Sequence, residues 1–174
     1  MASFLLRSLT ALRGAIYSAG FVWLWAWLAV SVRALDARSP VALPPWLRPI
    51  GFGLASLGAL LAGACIVAFV TRGRGTPAPF DPPREFVASG PYRYVRNPMY
   101  VGAAMVILGC GLVLSSPSVV VLGLAFILIM HLFVVLYEEP ALAHRFGATY
   151  RSYRSSVRRW LIRKPSSDGR SDAA

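Results

Sequence analysis

The chain has 174 residues, of which 56% are hydrophobic and only 14% are charged, and its mean hydropathy is +0.58. Soluble domains average roughly 45–50% apolar residues, so this composition excludes an ordinary soluble protein. The net charge is +11, but the chain carries no motif that reads nucleic acid, and its arginines flank apolar runs. Composition therefore predicts a single integral-membrane domain over residues 1–164, followed by a disordered tail over residues 165–174.

The apolar runs predict four membrane spans, because a helix needs about 20 apolar residues to cross the bilayer. Residues 14–32 and residues 50–71 supply one span each. The run over residues 98–137 is about twice as long as one span requires. It is interrupted at Ser116, a predicted N-cap followed by proline at the first helical position. This run is therefore a tight helical hairpin, and its third helix, residues 98–114, is short for a full span.

The distribution of Lys and Arg predicts the orientation of these spans. The side that holds both termini carries 2 basic residues before the first span, 5 in the central loop and 8 after the last span. The remaining three of the 18 basic residues lie on the opposite side. The positive-inside rule therefore predicts that both termini face the cytoplasm.

An amphipathic helix is predicted after the fourth span. Apolar residues recur there at intervals of three and four, and arginines fill the other face, which is typical of a helix lying in the membrane interface. The apolar residues are Leu142, Phe146, Tyr150, Tyr153, Val157 and Trp160. The predicted fold class is thus all-α, a multi-pass membrane bundle of about four spans with a C-terminal interfacial helix.

Two polar clusters lie at the predicted cytoplasmic face. The first is GPYRYVRNPMY, residues 90–100, in which three tyrosines stand between two proline turns. The second is the pair Glu138 and Glu139, expected at a helix C-terminus, where the helix dipole disfavours each carboxylate by about 0.3–1 kcal/mol. Tyrosine faces and carboxylates suit a ligand with a ring and a positive centre. The alternatives are an interfacial tyrosine belt and a solvated helix end paired to arginines.

Three further residues are candidates for contact with substrate. His131 lies within the hairpin, where an ionisable residue is a functional candidate. It is a candidate catalytic residue that receives an amine proton, and packing or hydrogen bonding is the alternative. Arg151 and Arg154 are candidate partners of the two glutamates or of a substrate phosphate, and the alternative is attraction to anionic lipid heads. No metal site is predicted, since the cysteines lack metal-ligand spacing.

The two clusters together resemble the isoprenylcysteine carboxyl methyltransferase and phospholipid methyltransferase superfamily. The resemblance covers residues 84–160 and consists of two sequence patterns about forty residues apart. The residues that match are Arg96, Asn97, Pro98, Tyr100 and Gly102, then Glu138, Glu139, Leu142, Phe146, Gly147 and Tyr150.

This resemblance implies a membrane methyltransferase that uses S-adenosylmethionine, releases S-adenosylhomocysteine and acts on a lipophilic acceptor entering from the bilayer. The cofactor pocket would face the cytoplasm and be closed by the C-terminal segment. By the resemblance, the cofactor-binding residues are Arg84, Glu85, Phe86, Val87, Tyr92, Asn97, Pro98, Met99, Tyr100, Glu138 and Glu139.

Two departures from the family pattern concern the acceptor. Val134 stands where the prenylcysteine enzymes carry a substrate-binding arginine, and Gly58 is followed by Ala59 and Leu60 where the phospholipid branch carries Gly-x-Gly. The acceptor stays open among a lipid amine, a lipid-linked carboxylate and a hydrophobic thiol or hydroxyl. The alternative function is a non-enzymatic four-span protein, such as a small transporter or assembly factor. Transporters usually carry more polar groups at mid-membrane depth than the single histidine here.

Overall fold

The computed structural model describes residues 2–38, 41–69, 71 and 88–161. Helices make up the secondary structure of these residues, without a strand in the ranges described. The α-helices are α1 (Ala2–Arg33), α2 (Leu47–Ala68), α3 (Pro98–Val113), α4 (Pro117–Phe133) and α5 (Glu139–Ser156). The shorter elements are 3₁₀ turns at Ala34–Arg38 and Gly90–Arg93 and a π-helical turn at Val134–Glu138. The predicted all-α class is confirmed.

Three helical stretches are long and apolar enough to cross a membrane: Ala19–Arg38, Leu47–Ala68 and Pro117–Ser156. Helix α3 is apolar but has only 16 residues. The bundle thus has three to four helices of membrane-spanning character, and the third is short, as predicted. Large apolar side chains on the outside of the bundle, such as Leu60 at 71% and Leu136 at 73% exposure, suit contact with lipid.

The stretch from α4 through α5 is 40 residues long, or about 60 Å at 1.5 Å per residue. That is about twice the thickness of the bilayer core, so only about the first 20 residues after Pro117 are needed to cross it. The two glutamates follow directly. They were expected at a helix C-terminus, and this expectation is wrong, because the π-helical turn continues α4 into α5. The dipole argument therefore does not apply to them.

Helices α2 and α3 pack closely because glycines face each other. A methyl group added to Gly58 would lie 2.5 Å from the carbonyl oxygen of Gly102, and one added to Gly51 would lie 2.7 Å from that of Gly109. The two contacts are about two helical turns apart in both helices, and they show that α2 and α3 are antiparallel. Gly58, read from the sequence as half of a Gly-x-Gly pattern, serves this packing.

Helix α1 packs on α4 through aromatic rings. Phe126 of α4 is fully buried, and the ring of Trp25 meets it edge-on at a centroid distance of 4.7 Å. Trp23 and Trp27 stack on each other on the exposed side of α1. The tryptophan-rich span therefore divides into one face that packs on protein and one that suits lipid.

The turn between α3 and α4 is capped as predicted. The Ser116 hydroxyl accepts a hydrogen bond from the backbone N–H of Val119 at 3.2 Å, and Pro117 is the first helical residue. Such a cap satisfies one of the free N–H groups at the start of a helix.

The 3₁₀ turn after α1 is bound to this cap. The Asp36 carboxylate accepts hydrogen bonds from the Ser116 hydroxyl and, at 3.0 Å, from the backbone N–H of Ser118. Arg48, at the start of α2, donates to the Ser115 hydroxyl at 3.2 Å. We call these five residues the hairpin end. They join α1, α2 and the α3–α4 turn at one end of the bundle.

The predicted interfacial helix exists as α5 but ends earlier than its apolar pattern. Gly147 breaks it with φ 52° and ψ −121°, a conformation that favours glycine. The helix ends at Ser156, and Val157 is extended, with φ −117° and ψ 131°. The prediction that Val157 and Trp160 continue the helical face is therefore wrong. Residues 157–161 instead leave the helix axis.

Candidate functional site

Both family patterns meet at the end of the bundle opposite the hairpin end. We call this the motif end; it comprises the Gly90–Arg93 turn, the first turn of α3, the π-helical turn and α5 with residues 157–161. The predicted site residues Arg84, Glu85, Phe86 and Val87 and the predicted disordered tail lie outside the described residues.

Glu138 lies against a tyrosine of α3. The Tyr100 hydroxyl donates a hydrogen bond to Glu138 Oε2 at 3.0 Å. Proline at position 98 starts α3 so that Tyr100 falls in its first turn, where its side chain reaches the π-helical turn. Glu138 has no ion-pair partner among the described residues. Its carboxylate is half-buried and accepts a hydrogen bond from this one phenol within the described residues.

Tyr92 forms the second wall of this group. Its ring meets Phe69 edge-on at 5.3 Å and packs with Cys65 and Met99. Burial raises the pKa of Tyr92 well above its ordinary value, and neighbouring Cys65 and Glu138 raise it further. The phenol therefore stays protonated. The structure brings together four of the residues predicted for the cofactor: Tyr92, Met99, Tyr100 and Glu138.

Glu139 has a different environment from its neighbour. It is 5% exposed and accepts two hydrogen bonds from Arg159, at 2.7 Å from Nε and 3.0 Å from Nη2. Its carboxylate also lies 3.0 Å from Arg96 Nη1 and 3.9 Å from Arg154 Nε. The hydrogen bonds that Arg159 donates to the Glu139 carboxylate raise the pKa of Arg159. Glu139 is thus the centre of a buried ion cluster, and Arg154 is its outermost member, as one reading of the sequence predicted.

Residues 157–161 return to the start of α3. The backbone N–H of Arg96 donates to the Arg158 carbonyl at 3.0 Å, and the Asn97 side-chain amide donates to the Arg159 carbonyl at 3.3 Å. Asn97 precedes the first residue of α3, but its side chain makes no cap hydrogen bond to that helix. The amide binds the returning segment instead, although α3 does begin at Pro98 as predicted.

Two aromatic side chains fasten the same segment. The Tyr153 hydroxyl donates to the backbone carbonyl of Tyr92, and Trp160 Nε1 donates to His131 Nδ1 at 3.0 Å. His131 is therefore held by a hydrogen bond. Arg151 is exposed on α5 and forms no ion pair within the described part of the chain.

The motif end keeps buried polar atoms without hydrogen-bond partners. Among the described residues these are Ser89 Oγ and the Nε and Nη1 atoms of Arg96, although Nη1 is within ion-pair distance of Glu139. Most buried polar groups in folded proteins are paired. These unpaired groups fit a place where a polar ligand completes the hydrogen bonding.

The sequence patterns did not indicate three of these roles. Val134, at the position of the substrate arginine in prenylcysteine enzymes, is fully buried inside the π-helical turn. The sequence pattern placed Arg159 and Trp160 on opposite faces of an amphipathic helix. In the structure α5 ends at Ser156, before both residues. Gly147 was a sequence signal for the kink inside α5, since a glycine in a helical pattern marks a possible break, but it does not indicate where the helix ends.

Comparison with known proteins agrees with this arrangement. A family model described as "Phospholipid methyltransferase" matches residues 47–149, from the start of α2 into α5. An "Uncharacterized protein" of Haemophilus influenzae (strain ATCC 51907 / DSM 11121 / KW20 / Rd) is 39% identical over 64 residues, which is 36% of this chain and 100% of that protein. The family match includes the glycine contacts of α2 and α3, the hairpin and both glutamates. The chain belongs to the phospholipid methyltransferase family.

Proposed function

We propose that the protein is an integral-membrane methyltransferase that takes its methyl group from S-adenosylmethionine and transfers it to a lipophilic acceptor. The observation that carries this proposal is the environment of Glu138. Its half-buried carboxylate contacts Tyr100 and has no cationic partner among the described residues. A buried charge without a partner is costly. A ligand with hydroxyl groups and a positive sulfur would offset that cost.

The residues of the motif end fit such a cofactor. Glu138 would accept hydrogen bonds from ribose hydroxyls, and the faces of Tyr92 and Tyr100 would stabilise the positive sulfur. The buried, unpaired hydroxyl of Ser89 would complete a hydrogen bond to a polar group of the cofactor. When bound, S-adenosylmethionine supplies a methyl group activated by a positively charged sulfur.

Two of the predicted contacts take another role in this proposal. The Asn97 amide already donates a hydrogen bond to the Arg159 carbonyl, and the Glu139 carboxylate already accepts one from the Arg159 guanidinium. We assign to them the holding of residues 157–161 beside the cofactor. Pro98 and Met99 would line the cofactor, and Arg84, Glu85, Phe86 and Val87 would contact it through their backbone.

The chemistry requires positioning above all. In-line transfer needs the acceptor atom and the methyl carbon held close, and good positioning can supply about 7–11 kcal/mol of barrier reduction. The rigid turn at Gly90–Arg93 and the buried ion cluster of Glu139 would hold the tyrosine walls in place. An amine acceptor would have to be neutral in order to attack.

The proposed orientation places both termini and the motif end in the cytoplasm. The positive-inside pattern supports it, and the motif end would then face a soluble cofactor. A lipophilic acceptor would reach the same end from the bilayer, along the exposed apolar surface of α4.

Calorimetric titration of S-adenosylhomocysteine into detergent-solubilised protein tests the proposal. Saturable binding in the micromolar range is expected. Glu138→Gln should weaken it by about tenfold or more, because a hydrogen bond to a charged group is worth about 1.5–3 kcal/mol. Arg151→Gln, a change on the exposed face of α5, is the matched control and should bind like the parent.

Equal affinity of the Glu138→Gln variant would refute the role of this carboxylate. Absence of binding by folded protein in both detergent and lipid nanodiscs would instead favour the non-enzymatic alternative, a four-span membrane protein without cofactor.

A further inference from the structure

His131 and Trp160 form a polar contact at the border of a membrane span. Trp160 Nε1 lies 3.0 Å from His131 Nδ1, and the two ring centroids are 6.0 Å apart. An indole N–H can only donate a hydrogen bond. His131 Nδ1 must therefore be the acceptor, so the imidazole is neutral and its proton is on Nε2.

The Nε2–H group is a donor without a partner in the described part of the chain. Trp160 is the hydrogen-bond partner of His131 there, and the imidazole is only partly buried. His131 lies in the last turn of α4, and a donor left unpaired in apolar surroundings there is costly. The Nε2–H group therefore requires an acceptor from outside the described residues.

The surroundings of His131 indicate where that acceptor comes from. Ile127 and Leu128 precede it by four and three residues and so share its helix face. They are 44% and 60% exposed, which suits contact with lipid. A ligand that reaches the Nε2–H group along this face arrives from the bilayer.

We propose that His131 is a hydrogen-bond donor to an ester or phosphate oxygen of the methyl acceptor, and that Trp160 is the positioning residue that fixes its tautomer. The identification of the ligand as the methyl acceptor rests on the proposed function, whereas the tautomer does not. In this arrangement His131 does not receive an amine proton, because Nε2 is already protonated and Nδ1 is bound to Trp160. The acceptor is then an amphiphile with a polar oxygen near its reacting group.

Nuclear magnetic resonance of ¹⁵N-histidine-labelled protein tests the tautomer. The chain has two histidines, and the other, His144, is exposed on α5. In a His144→Gln variant the remaining imidazole signals therefore all come from His131. At about pH 8, Nδ1 should give a pyridine-type signal and Nε2 a pyrrole-type signal. Trp160→Phe keeps an aromatic ring but removes the N–H donor, and a mixture of tautomers should result.

A proton on Nδ1 in the parent protein, or signals that Trp160→Phe leaves unchanged, would overturn the tautomer assignment. Neither result depends on methyl transfer, so this outcome is independent of the proposed function.

Titration with short-chain lipids in the same spectra tests the ligand. Dihexanoyl phosphatidylethanolamine should shift the Nε2–H signal, whereas octylamine, which has no ester or phosphate oxygen, should not. Dihexanoyl phosphatidylcholine presents the same ester and phosphate oxygens and should shift the signal as well, so its failure to do so would contradict a contact with those oxygens. A shift with octylamine alone would favour a base, and no shift with any probe would overturn the site.

A matched pair of substitutions separates a donor from a base. Gln at position 131 keeps an N–H near the place of Nε2, and Leu keeps only the apolar volume. His131→Leu should weaken calorimetric binding of the phosphatidylethanolamine probe by about five- to tenfold, the range expected for one lost hydrogen bond. His131→Gln should stay within about threefold of the parent. Equal losses in both variants would contradict the donor role.

Discussion

The two ends of the bundle differ in how completely their polar groups are paired. At the hairpin end, both oxygens of the Asp36 carboxylate accept hydrogen bonds, and the Ser116 hydroxyl both donates and accepts. At the motif end, Ser89 Oγ and Arg96 Nε are buried without partners among the described residues, and Glu138 contacts one phenol. A fully paired end needs nothing further to be stable, whereas an end with unpaired groups is suited to a ligand.

The same contrast exists within the motif end, between two adjacent residues. Glu139 is surrounded by guanidinium groups and is 5% exposed, while Glu138 has no cationic partner in the described ranges. One residue step turns a side chain by about 100° around a helix, so neighbours meet different elements. We therefore expect substitution of Glu139 to reduce mainly stability and substitution of Glu138 to reduce mainly cofactor binding.

Glu139→Gln should have the largest effect on stability. Loss of the carboxylate leaves the guanidinium groups of Arg96 and Arg159 uncompensated, and breaking a buried ion pair costs about 3–5 kcal/mol. Thermal unfolding in detergent should show a clear drop in the midpoint temperature. Arg154→Gln is the control, because Arg154 is 55% exposed and 3.9 Å from the carboxylate, and its loss should cost less than about 1 kcal/mol. Equal stability of the two variants would contradict the central role of Glu139.

Gly58→Ala should disturb both ends together, because α2 and α3 connect them. The added methyl group would lie 2.5 Å from a backbone carbonyl oxygen, and overpacking of this kind costs about 1–3 kcal/mol. Gly53 is in the same helix with no atom within 4 Å of an added methyl group. Gly53→Ala should therefore be neutral or slightly stabilising. Unfolding midpoints of the two variants that do not differ would refute the close packing at Gly58.

Asp36→Ala should have the smallest effect on stability of the three. It tests whether a change at the hairpin end leaves binding at the motif end intact. Loss of the hydrogen bonds at the start of α4 is expected to lower the unfolding midpoint only slightly. Affinity for S-adenosylhomocysteine should not change, because Asp36 is at the opposite end of the bundle. The measurement is a calorimetric titration beside a thermal unfolding curve. A tenfold loss of affinity in this variant would contradict the division of the molecule into a structural end and a binding end.

Features that depend on local sequence could be predicted from it. The starts of α3 and α4 follow from Pro98 and Pro117, and the Ser116 cap follows from its place before proline. The length of the apolar run predicted the hairpin and the short third helix. The cluster of Tyr92, Tyr100 and Glu138 could be predicted only as a resemblance, because its members are up to 46 residues apart in the chain.

The chain alone determined the all-helical membrane fold, since run length and proline position act through neighbouring residues. Only the tertiary structure decided which glutamate forms ion pairs with the arginines and which nitrogen of His131 accepts a hydrogen bond. The partners concerned are 20 residues apart for Glu139 and Arg159, 29 for His131 and Trp160, and 62 for Asn97 and Arg159. Apolar periodicity continues to Trp160, but the helix ends at Ser156 because Val157 is extended. Contacts made by the returning segment depend on those backbone angles, which periodicity does not encode.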